Sequence, residues 1–487
     1  GPVNIVFVVP SNVLREGGPP TSSLASVRLR CLEIGTPLTK LGHQVRMTAS
    51  QRVPVRLQQG AFDDVDVCIL QKTTFDFETT IRDLRQVGVR VIVDVCDNIE
   101  GLPHLAHYPA MVRMADLATV SSSGLLDIVH RAGAAQAELI PDCIENTRCE
   151  PTYGTVPDVL RLVWFGRSDN IDPLLDSLSD LEELATGRSV ALEIVTDSDS
   201  DLTNRLNAAA RHAARHLDLT VTPWSPAATE GALARASLAL MPAGSQERFT
   251  AKSPNRLAAA LWAGCVPIAA PQESYQDFET SALLATDVID GIAYALTNWA
   301  GLNDRVRIGQ TVITQKYTPQ AVARRWSKVL GELVARPNNP IPLPVTGRPA
   351  KLHLGCDGNI LPGFINIDRA KSTGGVQPDL IAEPGNLAMI ADESISMLLA
   401  VDVLNANRMS AVLHDWHRVL ISGAELVIEA PTAVLGDEVA AEVGDFALDA
   451  ESSAEHLAAA GFSDIRRETP TLRPEPNKRL RLVCLKK

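Results

Sequence analysis

The chain has 487 residues, of which 45% are hydrophobic and 21% charged, and its formal net charge is −13. This composition is typical of globular proteins with roughly three domains, and the acidic balance argues against a nucleic-acid partner. No stretch approaches the run of about 18 apolar residues that a membrane-spanning helix requires, and no signal peptide is visible.

Short apolar runs alternate with helical segments through the first 335 residues, which is typical of parallel α/β sheets. The predicted strands of the first third are residues 5–9, 44–48, 65–70, 89–95, 117–120 and 137–141. After an aperiodic stretch at 149–158, a second set is predicted at 160–166, 190–196, 219–222, 237–242 and 266–270. The economical interpretation is two Rossmann-like domains, 3–150 and 151–335, with a cleft between them.

The loop after the first strand is expected at the edge of this cleft. Gly17 and Gly18 permit close approach of the backbone to a ligand, and Ser22 offers a hydroxyl at a helix start. Arg28 and Arg30 could reach a phosphate or an acceptor. A flexible surface loop that ends in an ordinary helix cap is an equally open interpretation.

The loop after the fourth strand, VCDNIEGLPHLAHYP, also ends at the expected cleft. Asp97, His104 and His107 could orient an acceptor hydroxyl or act as a base there. A loop histidine that is merely exposed is the alternative for His104.

The most informative stretch is residues 247–270, ERFTAKSPNRLAAALWAGCVPIAA, in which a charged turn leads into a helix and a short strand. The polar residues of the helix N-terminus are Lys252, Ser253, Asn255 and Arg256. Unpaired N–H groups and the helix dipole favour an anion at that position, such as the diphosphate of a sugar nucleotide. Arg167 follows the strand at 160–166, where ligands bind doubly wound sheets. An ordinary αβ unit with a basic first turn is the alternative.

The remainder of the chain predicts a third domain. A helical stretch at 303–334 is interrupted around Tyr317-Thr318-Pro319 and is followed by RPNNPIPLPVTGRP, a semi-rigid linker at 336–349. A new α/β pattern then occupies 350–487. The eight cysteines of the chain are scattered without a CxxC pair, which predicts a reducing cytoplasm, no disulfide framework and no metal site.

The first two domains resemble a GT-B glycosyltransferase of the family-four, retaining type. The resemblance rests on ADLATVSSSGLLDIV, RLVWFGRSDN, RASLALMPAG and KSPNRLAAALWAGCVPIAA, in that order. It implies a nucleotide-sugar donor held by Arg167 and Lys252, and a late helix with Trp326 that crosses back to the first domain. It also implies that Glu247 lies near the donor sugar. The family often has a second Glu eight positions later, and this chain has Asn255 there.

Residues 351–487 resemble small class I, SAM-dependent methyltransferase-like domains of polysaccharide gene clusters, through KLHLGCDGNILPGFINID and the final LRLVCLKK strand. The resemblance implies that Gly355 and Gly358 form the turn that holds SAM, and that Asp368 binds its ribose. Asp357 stands where relatives have Gly, and we expect it to crowd the turn and to oppose the SAM carboxylate. These features favour a degenerate domain that serves packing, oligomerisation or acceptor positioning.

The leading hypothesis is a cytoplasmic, metal-independent glycosyltransferase that acts on a glycan or lipid-linked saccharide in bacterial surface polysaccharide synthesis. At most peripheral membrane contact and a homo-oligomer formed through the third domain are further expectations. The alternatives are a SAM-dependent methyltransferase that acts on a glycan, and a non-catalytic glycan-binding or scaffold protein. The base of the donor, its sugar, the acceptor and the linkage stay open.

Overall fold

The computed structural model describes the chain except residues 15–17, 74–76, 198–200, 203, 207, 209–215, 243–251, 337–348, 371–377, 389, 433–446 and 474–478. Two compact units are present, Gly1–Pro337 and Asn338–Lys487. Two of the predicted site residues, Gly17 and Glu247, lie outside the described residues, as does nearly all of the predicted linker.

The first unit begins with a six-stranded sheet in the order β2-β1-β3-β4-β5-β6, in which all neighbouring strands are parallel. Every residue of the two central strands, β3 and β4, is buried, as expected for a parallel sheet covered by helices on both faces. The strands β1 to β6 are Asn4–Val9, Gln44–Ala49, Val67–Gln71, Arg90–Val95, Leu117–Val120 and Ala137–Leu139.

A second parallel sheet of six strands follows in the same unit, in the order β12-β11-β10-β7-β8-β9. Its strands β7 to β12 are Val159–Phe165, Ser189–Thr196, Asp218–Pro223, Leu238–Met241, Val266–Ala269 and Leu283–Leu284. All eleven strands predicted for this unit are present, with ends that differ by at most two residues. The sequence missed β12 because a two-residue strand carries no periodic pattern.

Helices connect the strands of both sheets. Those of the first sheet are Ala25–Val27, the π-helix Arg28–Leu32, Glu33–Lys40, Val53–Gln58, Glu78–Gln86, Tyr108–Met114 and Ser123–Arg131. Those of the second sheet include Asp172–Asp176, Leu178–Gly187, Pro226–Arg235, Asn255–Trp262, Val288–Thr297, Leu302–Lys316 and Pro319–Ala335.

The last helix of the unit returns to the first sheet. Trp326 of Pro319–Ala335 is fully buried, and it belongs to the same apolar core as Phe7 of β1 and Ile34 of Glu33–Lys40. The predicted crossing helix is therefore confirmed. Its start is fixed by Thr318, whose side chain accepts a hydrogen bond from the Ala321 N–H and so caps the helix.

The second unit contains one seven-stranded sheet in the order β15-β14-β13-β16-β17-β19-β18. Strands β13 to β17 run parallel, and β19 is antiparallel to both of its neighbours. The strands β13 to β19 are Ala350–Leu354, Ile365–Asp368, Leu380–Ile381, Ile395–Val401, Leu420–Pro431, Phe462–Glu468 and Arg479–Lys486. The described helices are Met409–Val419 and Ala450–Ala459.

The predicted fold class, α/β with Rossmann-like parallel sheets, is confirmed by these three sheets. Among the described residues, no helix combines the length and the apolar character needed to cross a bilayer.

Candidate functional site

Two loops of the second sheet meet at the carboxyl end of β7. Arg167 follows the strand and begins the turn Ser168–Asn170, in which the Asn170 N–H donates to the Arg167 carbonyl at 3.0 Å. The Lys252 ammonium, from the segment before Asn255–Trp262, donates to Asn170 Oδ1 at 2.8 Å. This bond brings the two predicted donor-site cations to the same edge of the sheet. The Arg167 side chain is 63% exposed, so it is accessible to a ligand.

Arg256 occupies the first turn of the helix Asn255–Trp262 and packs over the aromatic rings that end β7. Its guanidinium carbon lies 5.1 Å from the ring centre of Trp164 and 5.2 Å from that of Phe165. Nε and Nη2 of Arg256 are buried and have no hydrogen-bond partner among the described residues. Burial lowers the pKa of this guanidinium to about 10, so it still carries its charge at neutral pH. A buried cation without a partner is expensive, and an anionic ligand would satisfy it.

Gly166 gives this guanidinium its space. A Cβ at Gly166 would lie 3.2 Å from the Trp164 ring and 3.4 Å from the guanidinium carbon of Arg256. A side chain there would press on both groups, so the glycine of the FGR sequence has a packing reason.

The N-terminus of Asn255–Trp262 is open towards this edge. The residue before it, Pro254, makes no side-chain hydrogen bond to the first N–H groups of the helix. Ser253 Oγ accepts a hydrogen bond from the Asn255 N–H at 3.3 Å. Unpaired N–H groups and the helix dipole add positive potential where Lys252 and Arg256 already supply charge.

The expectation that Arg30 reaches a ligand is wrong. Its side chain is fully buried behind the first sheet and forms a bidentate ion pair with Asp94, in which both N···O distances are 2.7 Å, and a 3.1 Å ion pair with Asp142. Thr119 donates to Asp94 Oδ1 at 2.6 Å, and Gln71 donates to Oδ2. Burial raises the pKa of the Asp142 carboxyl although Arg30 opposes that shift.

Lys72 is a cation that the sequence analysis did not single out. It follows β3, adopts a left-handed backbone conformation with φ of 54°, and forms an ion pair with Asp97, one of the predicted catalytic residues. Burial alone would lower the pKa of the Lys72 ammonium, but Asp97 and Cys96 raise it above its ordinary value, while the nearby charge of Arg167 opposes them. Lys72 and Asp97 therefore lie close to the Arg167 edge. The sequence signal that could have identified Lys72 is its position directly after a buried parallel strand, where ligands bind.

His104, another predicted base, lies in the exposed turn Pro103–Leu105. Its neighbour His107 is half-buried, and its Nε2 lies 3.0 Å from the carbonyl oxygen of Thr73, two residues after β3. The structure thus ties His107 to the first-sheet edge and leaves His104 on the surface.

The predicted acceptor-side residues, Arg28 and Ser22, both make hydrogen bonds within the protein. Arg28 makes two 2.9 Å bonds to the carboxylate of Glu145 and donates to the carbonyl oxygens of Ser22 and Ser23. Its guanidinium carbon also lies 4.6 Å from the ring centre of Trp224, in the second half of the unit. Ser22 Oγ accepts from the Leu24 N–H at 3.1 Å. Arg28 is therefore already engaged on several sides.

Gly18 is exposed, and a Cβ added there would contact nothing within 4 Å. The described chain itself therefore does not require a glycine at this position.

The second unit has a cavity of about 500 Å³ at the carboxyl ends of β13, β14 and β16. Three of the four predicted SAM-site residues line it, namely Gly355, Asp357 and Asp368. A Cβ on Gly355, which has φ of 74°, would lie 2.1 Å from the Val401 carbonyl oxygen, so this position requires glycine. Gly358, in the same turn, also has a positive φ, 76°.

Asp357 does not crowd the turn, contrary to our expectation. Its side chain is 85% exposed, and its cost is instead a left-handed backbone conformation with φ of 44°. Asp368 Oδ2 accepts a 2.6 Å bond from the Asp357 N–H, and Oδ1 accepts from the Arg369 N–H at 2.7 Å. Each carboxylate oxygen of Asp368, the residue predicted to bind the ribose, thus already accepts a hydrogen bond from the backbone of the loops around it.

Two arginines of the cavity were missed by the sequence analysis. Arg479, the first residue of β19, forms an ion pair with Asp402, and Arg473 lies 3.7 Å from the same carboxylate and 3.8 Å from that of Asp357. The basic spacing in TLRPEPNKRLR was the only signal, and it reads equally well as a solvated surface segment.

The residues His414, Asp415 and Trp416 lie on the helix Met409–Val419 and do not converge on one point. Asp415 accepts from the Leu387 N–H and from Arg418, and the Trp416 indole donates to the Pro384 carbonyl. The structural interpretation of this group is confirmed. Within the described ranges, no group of three His, Cys, Asp or Glu side chains is arranged to hold a metal ion.

No protein-family model matches the chain, and no curated protein sequence matches it. Solved structures with a similar fold include the pneumococcal O-GlcNAc transferase GtfA in complex with UDP and GlcNAc, at 13% identity and a TM-score of 0.45. That match covers 58% of this chain and 60% of the other, so this chain spans about three fifths of its length.

Two further structures match nearly their whole length. AviGT4, a glycosyltransferase involved in avilamycin A biosynthesis, is 15% identical with a TM-score of 0.46, over 69% of this chain and 98% of the other. The lipopolysaccharide outer core galactosyltransferase WaaB is 13% identical with a TM-score of 0.48, over 68% and 99%. The first unit itself has two six-stranded parallel α/β sheets. Likeness at this level carries no residue correspondence, so an activity has to be argued from the site itself.

Proposed function

We propose that the first unit is a glycosyltransferase that binds a nucleotide-sugar donor at the carboxyl edge of β7. The single observation that carries the proposal is Arg256, a half-buried residue whose Nε and Nη2 are buried and satisfied by no described residue. Proteins rarely bury a cation without a partner, and a diphosphate supplies one. Lys252 and Arg167 lie at the same edge and would complete the set.

The chemistry of glycosyl transfer explains why a site of this kind accelerates the reaction. When the sugar leaves, negative charge grows on the nucleoside diphosphate, and pre-positioned cations stabilise that charge more than they stabilise the substrate. The open N-terminus of Asn255–Trp262 adds its dipole. Because the protein itself provides this positive charge, we propose that the leaving group needs no metal ion.

The acceptor is assigned to the first-sheet side of the same edge. Lys72 and Asp97 form an ion pair close to Arg167. The Asp97 side chain is 55% exposed, so one of its oxygens can accept a hydrogen bond from an acceptor hydroxyl. We propose a saccharide or lipid-linked saccharide as that acceptor, in the synthesis of a bacterial surface polysaccharide. Glu247 and Gly17 remain proposed donor-site residues on sequence grounds alone.

Binding of the nucleotide tests the proposal first. Thermal shift with UDP, GDP, ADP and dTDP should show stabilisation by one of them, and Arg256→Met should abolish it. The corresponding radiolabelled sugar nucleotide should then release its sugar slowly to water, with and without EDTA. If none of the four diphosphates shifts the melting temperature, the first unit has no such donor site and the scaffold hypothesis is preferred.

For the second unit, we propose a methyltransferase-like domain that has lost methyl transfer. The support is that both oxygens of Asp368 already accept backbone hydrogen bonds and that charged residues line the cavity. We also propose that the protein is cytoplasmic, makes at most peripheral contact with a membrane, and self-associates through this unit. Sedimentation of the full chain against a chain that ends before residue 338 tests the self-association.

A further inference from the structure

The cavity of the second unit is lined mainly by charged side chains. Its lining consists of Gly355, Asp357, Asp368, Arg369, Val401, Asp402, Val403, Arg473 and Arg479. Six of these nine residues are charged, and two, Val401 and Val403, have apolar side chains. An adenine ring is usually held between apolar surfaces. The described lining offers two valines as an apolar surface and six charged side chains as partners for a polar ligand.

Arg479 is the most enclosed cation of the cavity. Its side chain is 11% exposed, and Nη2 binds a carboxylate oxygen of Asp402. Its Nε is buried and has no hydrogen-bond partner among the described residues. Nε is thus a donor of this guanidinium that the described residues do not use.

Arg473 approaches the same carboxylate without a close bond. Its Nε lies 3.7 Å from Asp402 Oδ2, its Nη1 lies 3.8 Å from Asp357 Oδ2, and its Nη2 donates a long bond of 3.4 Å to the Gly355 carbonyl. The first two distances exceed a hydrogen bond. Two guanidinium groups therefore converge on one carboxylate, and Arg473 approaches it only at ion-pair distance.

Asp402 holds this arrangement in a strained backbone conformation, with φ of 54°. A non-glycine residue with positive φ persists only where its surroundings enforce it. The carboxylate occupies the place between Arg473 and Arg479 that an external anion would take. The two residues before Arg473 are held by Glu429. This fully buried carboxylate accepts hydrogen bonds from the Thr471 and Leu472 N–H groups at 2.8 and 3.1 Å.

We propose that this cavity binds a small hydroxylated phosphomonoester, such as a sugar phosphate, and that Asp402 is the internal competitor of its phosphate. A phosphate has three terminal oxygens and can accept from two guanidinium groups at once. The exposed carboxylate of Asp357, at the rim of the cavity, accepts hydrogen bonds from the hydroxyls of the ligand. The site lies in the second unit and is independent of the donor site proposed for the first.

Hydrogen–deuterium exchange of the full chain tests this, because it separates the two units. Glucose 1-phosphate is expected to protect peptides around residues 350–369 and 398–404, whereas a nucleoside diphosphate protects those around 160–170 and 252–262. Arg479→Met should weaken the binding of glucose 1-phosphate by about tenfold or more, as loss of a charged hydrogen bond does. Arg479→Lys keeps the charge and should retain part of the affinity. Arg467→Met, on an exposed position of β18, is the matched control and should change nothing.

The decisive test is whether Asp402→Asn strengthens or weakens the binding of glucose 1-phosphate. Removal of the competing carboxylate should strengthen the binding of glucose 1-phosphate by about threefold or more, since a nearby like charge opposes an anion. The proposal is overturned if Asp402→Asn weakens binding, if glucose 1-phosphate protects no peptide of the second unit, or if SAM protects these peptides and the phosphate does not. The last result would restore a SAM site.

Discussion

Arg256 packs its guanidinium 5.1 Å from the ring centre of Trp164, and this contact fixes a cation at the carboxyl end of β7. The ring holds the flat face of the guanidinium by a cation–π interaction, while two of its nitrogens stay unbonded among the described residues. A residue with a purely structural role would use those nitrogens within the protein. Arg256 is therefore expected to cost stability in the free protein and to recover it on binding.

Arg256→Met should raise the melting temperature of the first unit and abolish nucleoside diphosphate binding. Replacing a buried charge by an apolar side chain of similar size stabilises proteins by about 1–3 kcal/mol, which corresponds to roughly 2–4 °C per kcal/mol. Calorimetry and isothermal titration measure the two effects. Arg161→Met, at the opposite, exposed end of β7, is the control and should alter neither. A lower melting temperature for Arg256→Met would mean that the residue has a structural role.

Lys252→Ala and Arg167→Ala should each weaken nucleoside diphosphate binding by about 1.5–3 kcal/mol, the usual loss for a charged hydrogen bond. Isothermal titration at low ionic strength measures this. Lys328→Ala, on the exposed face of Pro319–Ala335, removes a lysine away from the site and should have no effect. Unchanged affinity in both site variants would contradict the diphosphate assignment.

Asp97→Asn should lower sugar transfer to the acceptor by about a hundredfold, in the range expected for a group that handles a proton. Nucleoside diphosphate affinity should stay within about threefold of the parent protein, because the donor cations are untouched. Transfer assays with a labelled donor measure the first quantity and titration the second. Asp127→Asn, on the exposed face of Ser123–Arg131, serves as control. Equal transfer by Asp97→Asn and the parent protein would exclude Asp97 as the acceptor-side residue.

His43 should make the first unit less stable below pH 6.5. Its Nδ1 accepts the Val3 N–H at 3.1 Å, and its Nε2 lies 2.8 Å from Ser327 Oγ of the crossing helix, an arrangement that needs the neutral ring. Burial lowers its pKa from the ordinary 6.5, so the unfolded chain takes up the proton first as the pH falls. The contribution of His43 is complete above pH 6.5 and is lost as the pH falls through the folded pKa.

Melting curves between pH 5 and 8 measure this dependence, with His43→Gln as the comparison. The difference between the parent protein and this variant should shrink towards pH 5. A difference that stays constant over this range would show that His43 does not titrate on unfolding.

Trp326→Ala should destabilise the first unit by about 3–5 kcal/mol, since it leaves a large cavity in the core shared with the first sheet. Trp326→Phe should cost less, roughly 1–2 kcal/mol, because it keeps an aromatic ring there. The indole N–H is buried without a hydrogen-bond partner among the described residues, so its removal breaks no bond. Denaturation followed by far-UV circular dichroism measures both. Similar losses for the two variants would mean that the N–H is bonded after all.

The strands of the first unit could be predicted because each is a short apolar run between polar turns, and burial on both faces of a parallel sheet imposes that pattern. The last helix of the unit was predicted from its helical pattern, and the predicted interruption at Tyr317-Thr318-Pro319 coincides with its start. Its crossing to the first sheet was predicted from the family resemblance. Arg167 and Lys252 could be named as candidates because each directly follows or precedes an element, at an end where ligands bind.

The partners of these residues could not be read from the chain. Arg28 and Arg30 stand two positions apart, yet one ties Ser22 to Glu145 and the other is enclosed with Asp94. Asp357 was expected to crowd a turn and instead projects outward, because its backbone adopts a left-handed conformation. Arg473 and Arg479 gave no distinctive pattern, although they converge on Asp402.

The sequence by itself determined the three α/β sheets and the edge of the second sheet at which the donor cations stand, because strand burial and helix starts are local patterns along the chain. The tertiary structure decided which cations remain available. That two nitrogens of Arg256 find no partner among the described residues, while Arg30 is bonded to Asp94 and Asp142, depends on carboxylates and rings brought in from distant segments. Spacing along the chain does not encode those contacts.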